Sequence, residues 1–501
     1  MKLLTVVLTY LLIHDTLAAK PLPQPTPVQV EYMDREMGGL ITWAINEDNG
    51  GYKACSGCYW GQDHVTPPSH FNPTTPDMAK KWVAAAKAFG AKSLTLSANH
   101  CGGFAMWPTN SSIVDADTGD SFRYNYSTAF TADGARDIVS EFVEACEEGG
   151  IGAGLYLNIG MNMFMDIGAN SDSHSIEPTG RFQACWDENG ANQTLLSGQV
   201  KSTIDSYYDT FKEHLVELFG GRYGHDFVEV WLDGGYHEEL GEFIADLIDK
   251  NQPKAVIFKA PNWDVSKHSG NSVRWAGTET GHTPEEDMWS TVSSSQQGEQ
   301  GDYGYGPGVA DGDVWMPAEQ DAPIADGYDY GGFWYPGQDP KNLTELMSEY
   351  EDSVGHNSNF MLELSPDRDG AIPDSNLEAY TMFGEALDRC YRPGGVGVVA
   401  SSDGFRCDSK IGCSIPISAA TEVDRVRLSE ADLTRSIRAY EILVGGDVVA
   451  SGKSVGRCRI IRLPVMLKPD TEVTVRFTNA TDVPVLKAIE LLNLYGDDGC
   501  M

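Results

Sequence analysis

A (β/α)8-type TIM barrel followed by a C-terminal β-sandwich is the fold class that this sequence predicts. Short apolar runs of strand length alternate with helical periodicities from Gly39 to Leu387. That is the pattern of parallel βα units, and so many units favour a closed barrel over an open sheet. Near Cys390 the helical period disappears and short β-rich runs appear between turn signals. At 501 residues the chain exceeds one ordinary core, whereas a barrel with an appended module fits it. These observations divide the chain into a leader at 1–19, a barrel at 20–390 and a sandwich at 391–501.

A Pro-rich linker from Lys20 to Val28 opens the mature chain, and Gly39–Ile45 is the first candidate strand. A long loop follows, holding Tyr59, Trp60 and the pair Cys55-Ser56-Gly57-Cys58. Asp77 is expected to cap a helix over Met78–Phe89, rich in alanine and lysine, which Gly90 ends. The cycle repeats with a strand at Ser93–Ser97, a helix at Arg136–Glu148 and a strand at Ile151–Leu157. An amphipathic segment, Ser202–Leu218, leads to the apolar stretch Phe227–Leu232. Then come a helix at Glu239–Asp249 and strands at Ala255–Phe258 and Val273–Ala276. Val314–Pro317 is a further candidate strand; a helix at Leu343–Val354, a strand at Phe360–Leu364 and a helix at Leu377–Leu387 complete the barrel. Beyond it, runs such as Ile437–Ile442 and Val473–Phe477 alternate apolar and polar residues, as half-buried sandwich strands do. Packing against the barrel is the expected role of that module, with carbohydrate binding the alternative.

Met1 to Ile13 give a basic start and a short apolar core, and Ala18-Ala19 supply small residues suited to cleavage. This reads as a secretory signal peptide, too short to span a membrane. Ten cysteines agree with an oxidising compartment, although their spacing fixes no pairing. The Cys55/Cys58 spacing lacks the second pair that a zinc site requires, so a structural disulfide is preferred and no metal or other cofactor is expected. Sequons at Asn110, Asn125, Asn192, Asn342 and Asn479 are acceptors for N-glycans in that route. With 36 basic and 73 acidic residues, the formal net charge of −37 repels phosphate backbones and anionic bilayers. Nucleic acid and membrane are therefore excluded as expected partners; as a bland alternative, the acidic coat serves solubility.

The stretch Phe227–Gly235 ends a near-continuous apolar run at Asp233 and two glycines. An acid at the C-terminal mouth of a buried strand sits where barrel enzymes place their chemistry. The bland alternative is an aspartate that caps the following turn.

Three such segments together resemble the α-L-fucosidases of glycoside hydrolase family 29. Val230-Trp231-Leu232-Asp233-Gly234 is similar to the family's nucleophile segment. Val273-Arg274-Trp275-Ala276-Gly277-Thr278-Glu279-Thr280-Gly281 resembles the acid/base segment of the branch that includes plant and bacterial α-1,3/1,4-fucosidases. Asn99-His100-Cys101-Gly102-Gly103-Phe104 is similar to the family's fucose-binding segment. Weaker likenesses lie at Phe333-Trp334-Tyr335, Asn359–Pro366 and Gly456–Ile461.

The resemblance implies a secreted, retaining exo-glycosidase that removes terminal α-L-fucose from oligosaccharides or glycoprotein glycans, with a leaning toward α-1,3 or α-1,4 linkages. Glycosidic cleavage needs one ionised and one protonated carboxyl group flanking the anomeric carbon. Asp233 is the implied nucleophile and Glu279 the implied acid/base; for Glu279 alone, a surface acid after a strand is the alternative. His100 is the implied ligand of sugar hydroxyls, and Trp60, Trp107 and Trp334 are candidate apolar walls for the sugar. Cys101 has no evident base partner, so structural use is expected. Thr42 stands where the family usually has a histidine, Cys101 and Gly102 replace its second histidine and aspartate, and Tyr59 replaces an acid. The catalytic pair is retained while the sugar-binding shell is altered. Rival readings are a glycosidase for a related sugar or polysaccharide, and a lectin-like protein without turnover; a lysosome-like compartment is the alternative to export.

Overall fold

In the computed structural model the described residues are 23–45, 64–132, 136–169, 176–178, 197–233, 238–258, 270–276, 279–285, 288–294, 308–325, 332–431, 436–497 and 499–501. The expected signal segment at 1–19, Trp60, Cys55 and Cys58 lie outside them.

Eight parallel strands close into a barrel in chain order: β1 Met37–Ile41, β2 Ser93–Asn99, β3 Gly152–Asn158, β4 Glu229–Asp233, β5 Val256–Phe258, β6 Ser272–Trp275, β7 Ala318–Ala322 and β8 Asn359–Leu364. β8 pairs back onto β1 through Leu40↔Glu363 and its neighbours, which removes both sheet edges. Helices α2 Met78–Ala88, α3 Ile138–Gly149, α4 Ile204–Phe219, α5 Glu238–Asn251, α6 Leu343–Ser353 and α7 Asp374–Cys390 follow strands β1, β2, β3, β4, β7 and β8. Their apolar faces, with residues such as Trp82, Phe142, Phe211 and Phe383, form the main core against the outside of the barrel. Asp77 precedes α2, but it adopts a left-handed backbone and its side chain makes no capping hydrogen bond. Asp137, Thr203 and Asn342 do cap α3, α4 and α6.

Two expected assignments are corrected. The Pro-rich segment turns into a helix, α1 Pro27–Arg35, where Thr26 and Gln29 form a capping box with Pro27 at the first position. This helix closes the N-terminal end of the barrel: Gln29 Nε2 donates to the Ser272 and Trp315 carbonyls, and Asn359 Nδ2 donates to the Tyr32 carbonyl. Val314–Trp315 is not a barrel strand; it pairs antiparallel with Thr291–Val292 outside the barrel, and the seventh strand is Ala318–Ala322.

Inside the barrel, Tyr32 and Met33 from α1 meet Leu40, Tyr156, Trp231, Val256, Phe258, Val273 and Met361. The rings of Tyr156, Trp231 and Phe258 stack in a column, with centroids 5.0 and 3.6 Å apart. Beneath the column lie two fully buried carboxyl groups, Glu229 and Glu319. Thr95 Oγ1 donates to Glu229 at 2.8 Å, while Tyr32 Oη and Trp231 Nε1 donate to Glu319 at 2.6 and 2.8 Å. Burial first, then the charge of Glu229, pushes the Glu319 carboxyl well above the usual range, so Glu319 keeps its proton. That proton satisfies Glu229 Oε1, which otherwise has no hydrogen-bond partner among the described residues.

After α7 the chain builds two antiparallel four-stranded sheets. One has the order β9 Val398–Arg406, β16 Val485–Leu492, β11 Val423–Glu430, β14 Arg459–Leu467. The other has the order β10 Cys413–Ile417, β15 Val473–Ala480, β12 Ile437–Val444, β13 Asp447–Gly452. Val426, Leu428, Ile442, Val475, Phe477 and Ile489 form the core between them. The sandwich is fastened to the barrel by the Cys390–Cys500 disulfide and by Glu351 of α6, which accepts from Tyr391, Arg425 and Arg462. A second disulfide joins Cys407 to Cys413, whereas Cys146 and Cys458 are buried free thiols.

Candidate active site

The period-2 alternation of a strand sends every second side chain into the barrel. At the C-terminal ends this brings Asn158, Asp233, Trp275, Asp321 and Glu363 together with Thr42 and His100, which follow β1 and β2. Asp233 is half-buried at the last position of β4 and faces Asn158 across the β3–β4 pairing. Its Oδ2 accepts from Tyr156 Oη at 2.5 Å and from Asn158 Nδ2 at 2.9 Å. Donors of this kind favour the ionised form.

The orientation of Tyr156 is set by His100. The Cys101 backbone N–H donates to His100 Nδ1 at 2.9 Å, so the ring proton sits on Nε2, 3.1 Å from Tyr156 Oη. His100 Nε2 therefore donates to Tyr156, and Tyr156 donates to Asp233. Burial lowers the His100 pKa to about 3, which keeps the imidazole neutral across the working range. Burial, then the neighbouring Asp233 charge, raises the Tyr156 phenol well above its usual value, so it stays a donor. His100 is stacked on Tyr156 at 5.0 Å and edge-on to Phe333 at 4.9 Å. Both of its nitrogens have partners within the protein, the Cys101 N–H and the Tyr156 hydroxyl. Cys101 is held in a disulfide, in keeping with the expected structural use. Gly103 has a φ of +87°, and a Cβ there would overlap the Asn162 side chain.

Glu279 is half-buried on the loop after β6. Its charge is felt by both Tyr156 and Asp321, which places it on the same side of the barrel as Asp233. Trp275 Nε1 donates to Asp321 Oδ1 at 2.6 Å, and Thr42 Oγ1 donates to Glu363 Oε2 at 2.7 Å. The Asp321 carboxyl is held well above the usual range by burial and then by Glu279 and Glu363; burial likewise raises Glu363. At Gly332, φ is +76° and a Cβ would overlap the Glu363 carboxyl group, so only glycine lets this loop close over it.

Of the three tryptophans expected to wall a sugar, Trp60 lies outside the described residues and Trp334 is half-buried beside Phe333. Trp107 is corrected: it is fully buried in the main core, packs edge-on to His214, and donates its indole N–H to Glu217 at 2.8 Å. Tyr156, Asn158, Asp321 and Glu363 were not legible as site residues. Tyr156 and Asn158 follow Gly154 at strand period, a polar end to an otherwise apolar run, and that was the available signal.

A closed barrel with carboxyl groups converging at its C-terminal mouth has the layout that glycosidic cleavage requires. The sequence model of a family described as Alpha-L-fucosidase matches residues 59–389. The chain belongs to the alpha-L-fucosidase family. Alpha-L-fucosidase 1 of Arabidopsis thaliana is 30% identical over 382 residues, covering 73% of this chain and 60% of that protein. The Alpha-L-fucosidase of Dictyostelium discoideum is 22% identical over 315 residues, covering 62% of this chain and 54% of its own. The chain thus spans less than two thirds of these relatives. Among solved structures, a GH29 fucosidase of Ruminococcus gnavus in complex with fucose superposes with a TM-score of 0.68 at 24% identity, covering 96% of this chain and 97% of that one. A glycoside hydrolase 29 family member from an unknown rumen bacterium gives 0.68 at 21% identity, over 96% of this chain and 80% of its own. Both share the barrel-and-sandwich fold seen here.

Proposed function

We propose that this family member is a retaining exo-α-L-fucosidase, with Asp233 as nucleophile and Glu279 as acid/base. The observation that carries this reading is the hydrogen-bonded carboxylate of Asp233 at the mouth of β4, with a second carboxyl group, Glu279, on the loop after β6. In the first step an Asp233 oxygen bonds to C1 of the sugar as the C1–O glycosidic bond breaks. The departing oxygen takes that bond's electron pair together with the Glu279 proton. In the second step water attacks C1, the C1–Asp233 bond breaks, and the water proton returns to Glu279, so both carboxyl groups end as they began. Tyr156 and Asn158 keep Asp233 ionised and aimed.

The substrate class is a terminal α-L-fucosyl residue on an oligosaccharide or glycoprotein glycan. The likeness of the Val273–Gly281 segment to the branch with α-1,3/1,4 preference supports a branched acceptor. The expected leader, the disulfides and the excess of 73 acidic over 36 basic residues support a secreted protein acting on neutral glycans. Incubation with a branched Lewis-type oligosaccharide is expected to release free L-fucose, measured by chromatography. Absence of release, from this substrate and from an aryl α-L-fucoside alike, contradicts the reading. The engagement of the Thr42 hydroxyl by Glu363, where the family's histidine is expected, favours a second reading in which the glycone preference is altered. Screening aryl glycosides of related sugars separates the two.

A further inference from the structure

We propose that Asp321 is a positioning residue for Glu279: it anchors the loop that carries the acid/base and shares that loop's proton. The proposal rests on the reading of Glu279 given above. The loop after β6 is fastened to β7 on both sides of Glu279. Before it, the Ala276 N–H donates to the Glu319 carbonyl at 2.8 Å, and the Trp275 indole donates to the Asp321 carboxyl at 2.6 Å. After it, the Gly281 N–H donates to the Asp321 carbonyl at 3.1 Å. Gly281 has a φ of +68°, and a Cβ there would run into Glu349, so the chain can make this return only at a glycine. Two residues on, the Thr283 N–H donates to the Asp352 carbonyl at 2.9 Å, which holds the far end against α6. One residue of β7 thus receives the loop through its side chain and through its backbone.

Among the described residues, two carboxyl groups act on Asp321. Glu279 faces it from the loop after β6, and Glu363 faces it from β8, where Thr42 donates to Glu363. Trp275 is the indole donor from β6, and Glu319 lies two residues earlier on β7. Lys341, whose charge acts on Glu363, is paired to Glu349 at 2.6 Å. Burial, and then the charges of Glu279 and Glu363, raise the affinity of Asp321 for a proton, so Asp321 and Glu279 do not both ionise. With Asp321 only 5% exposed, it has no water shell to take up the charge instead. The pair therefore retains a proton that Glu279 can deliver to the leaving oxygen. Asp321 itself undergoes no net change over the cycle.

Asp321→Asn preserves the oxygen that accepts from Trp275 and the backbone acceptor for Gly281, but it cannot share a proton and presents an N–H₂ donor instead. Such a donor favours the ionised form of Glu279, so the general acid is lost at a lower pH. Two substrates separate positioning from plain destabilisation. An α-linked fucosyl oligosaccharide needs its leaving oxygen protonated, whereas a nitrophenyl α-L-fucoside has a leaving group that departs without help. Asp321→Asn is expected to lower kcat/KM on the oligosaccharide by roughly 10- to 100-fold, within the range general acids contribute. On the nitrophenyl fucoside the fall should stay within about threefold, because that leaving group bypasses general-acid help. The alkaline limb of the oligosaccharide profile should move down by about one pH unit. Equal losses on both substrates with an unmoved limb, or no loss on either, would overturn the proposal. If the variant does not fold, Trp275→Phe, which removes the indole donor and keeps an aromatic ring, must show the same oligosaccharide-selective loss; an equal loss on both substrates overturns the proposal. A wild-type protein that turns over neither substrate overturns the parent reading of Glu279, and this one with it.

Discussion

Replacing Asp233 with alanine is expected to lower kcat/KM on an aryl α-L-fucoside by on the order of 10⁴-fold or more, about 5.5 kcal/mol of transition-state stabilisation. The size follows from what the side chain does. Without it no covalent intermediate can form, and the positive charge developing at C1 loses the anion that Tyr156 and Asn158 hold in place. Glu279 is untouched, so the variant keeps its acid and loses its nucleophile. A small anion should therefore restore turnover by entering the vacated space: with added azide the product is expected to be the fucosyl azide of inverted configuration. Steady-state kinetics with and without azide, followed by product analysis, checks both points. Activity within about tenfold of wild type would remove Asp233 from the mechanism, since a transition-state contact of that kind costs far more.

The second large effect concerns folding. Glu319→Ala removes the acceptor of the Tyr32 hydroxyl and the Trp231 indole, and it leaves Glu229 without its proton donor. Each orphaned buried group costs about 1–3 kcal/mol, so a loss of at least about 3 kcal/mol is expected for the three, read as a lower denaturant midpoint. Glu319→Gln should cost far less, because an amide N–H₂ can donate to Glu229 as the protonated carboxyl does. The two proteins should also differ in pH dependence. The folded pKa of Glu319 is raised, so its contribution is fully present below the unfolded value and is lost as pH rises toward the folded one. From about pH 4.3 upward, the ordinary glutamate value, the folded protein holds a proton that the unfolded chain has released. Wild-type stability should therefore fall relative to Glu319→Gln, by about 1 kcal/mol per pH unit in that window. Parallel stability curves for the two proteins would show that Glu319 is ionised in the folded state.

Most of the barrel was legible because its strands are apolar runs and its helices amphipathic, and both follow from burial on one side or two. The seventh strand was not. Ala318-Glu319-Gln320-Asp321-Ala322 carries carboxyl groups where a strand usually carries valine or isoleucine, and it is stable only because other strands and α1 satisfy them. The neighbouring Val314-Trp315 looked more like a strand and serves only a short ladder beside the barrel. The first helix was missed for a different reason. Its capping box, Thr26-Pro27-Val28-Gln29, was present, but the surrounding prolines suggested a linker.

At the mouth, Asp233 stood out because it ends an apolar run that reads as a strand, whereas Glu279, three residues beyond Ala276, stood out only through the likeness of its segment to the family's acid/base segment. Tyr156, Asn158, Asp321 and Glu363 lie within strands, where sequence alone does not tell an inward polar residue from an outward one. Trp107 shows the converse. It sits in a sugar-binding-like segment, yet Glu217 of α4 captures its indole and draws it into the core. Burial on both faces of a barrel strand hides the site from pattern reading and also makes the site rigid.

Covalent trapping tests the assignment of the nucleophile most directly. A 2-deoxy-2-fluoro-fucosyl fluoride slows both steps but slows release more, so a retaining enzyme should accumulate one fucosyl adduct per chain, followed by intact mass. Digestion is then expected to place the added mass on the peptide containing Asp233, with no labelling of Asp233→Ala. An adduct on another carboxyl group, or steady turnover of α-L-fucosides that never yields an adduct and gives the inverted sugar, would contradict Asp233 as the nucleophile of a retaining fucosidase.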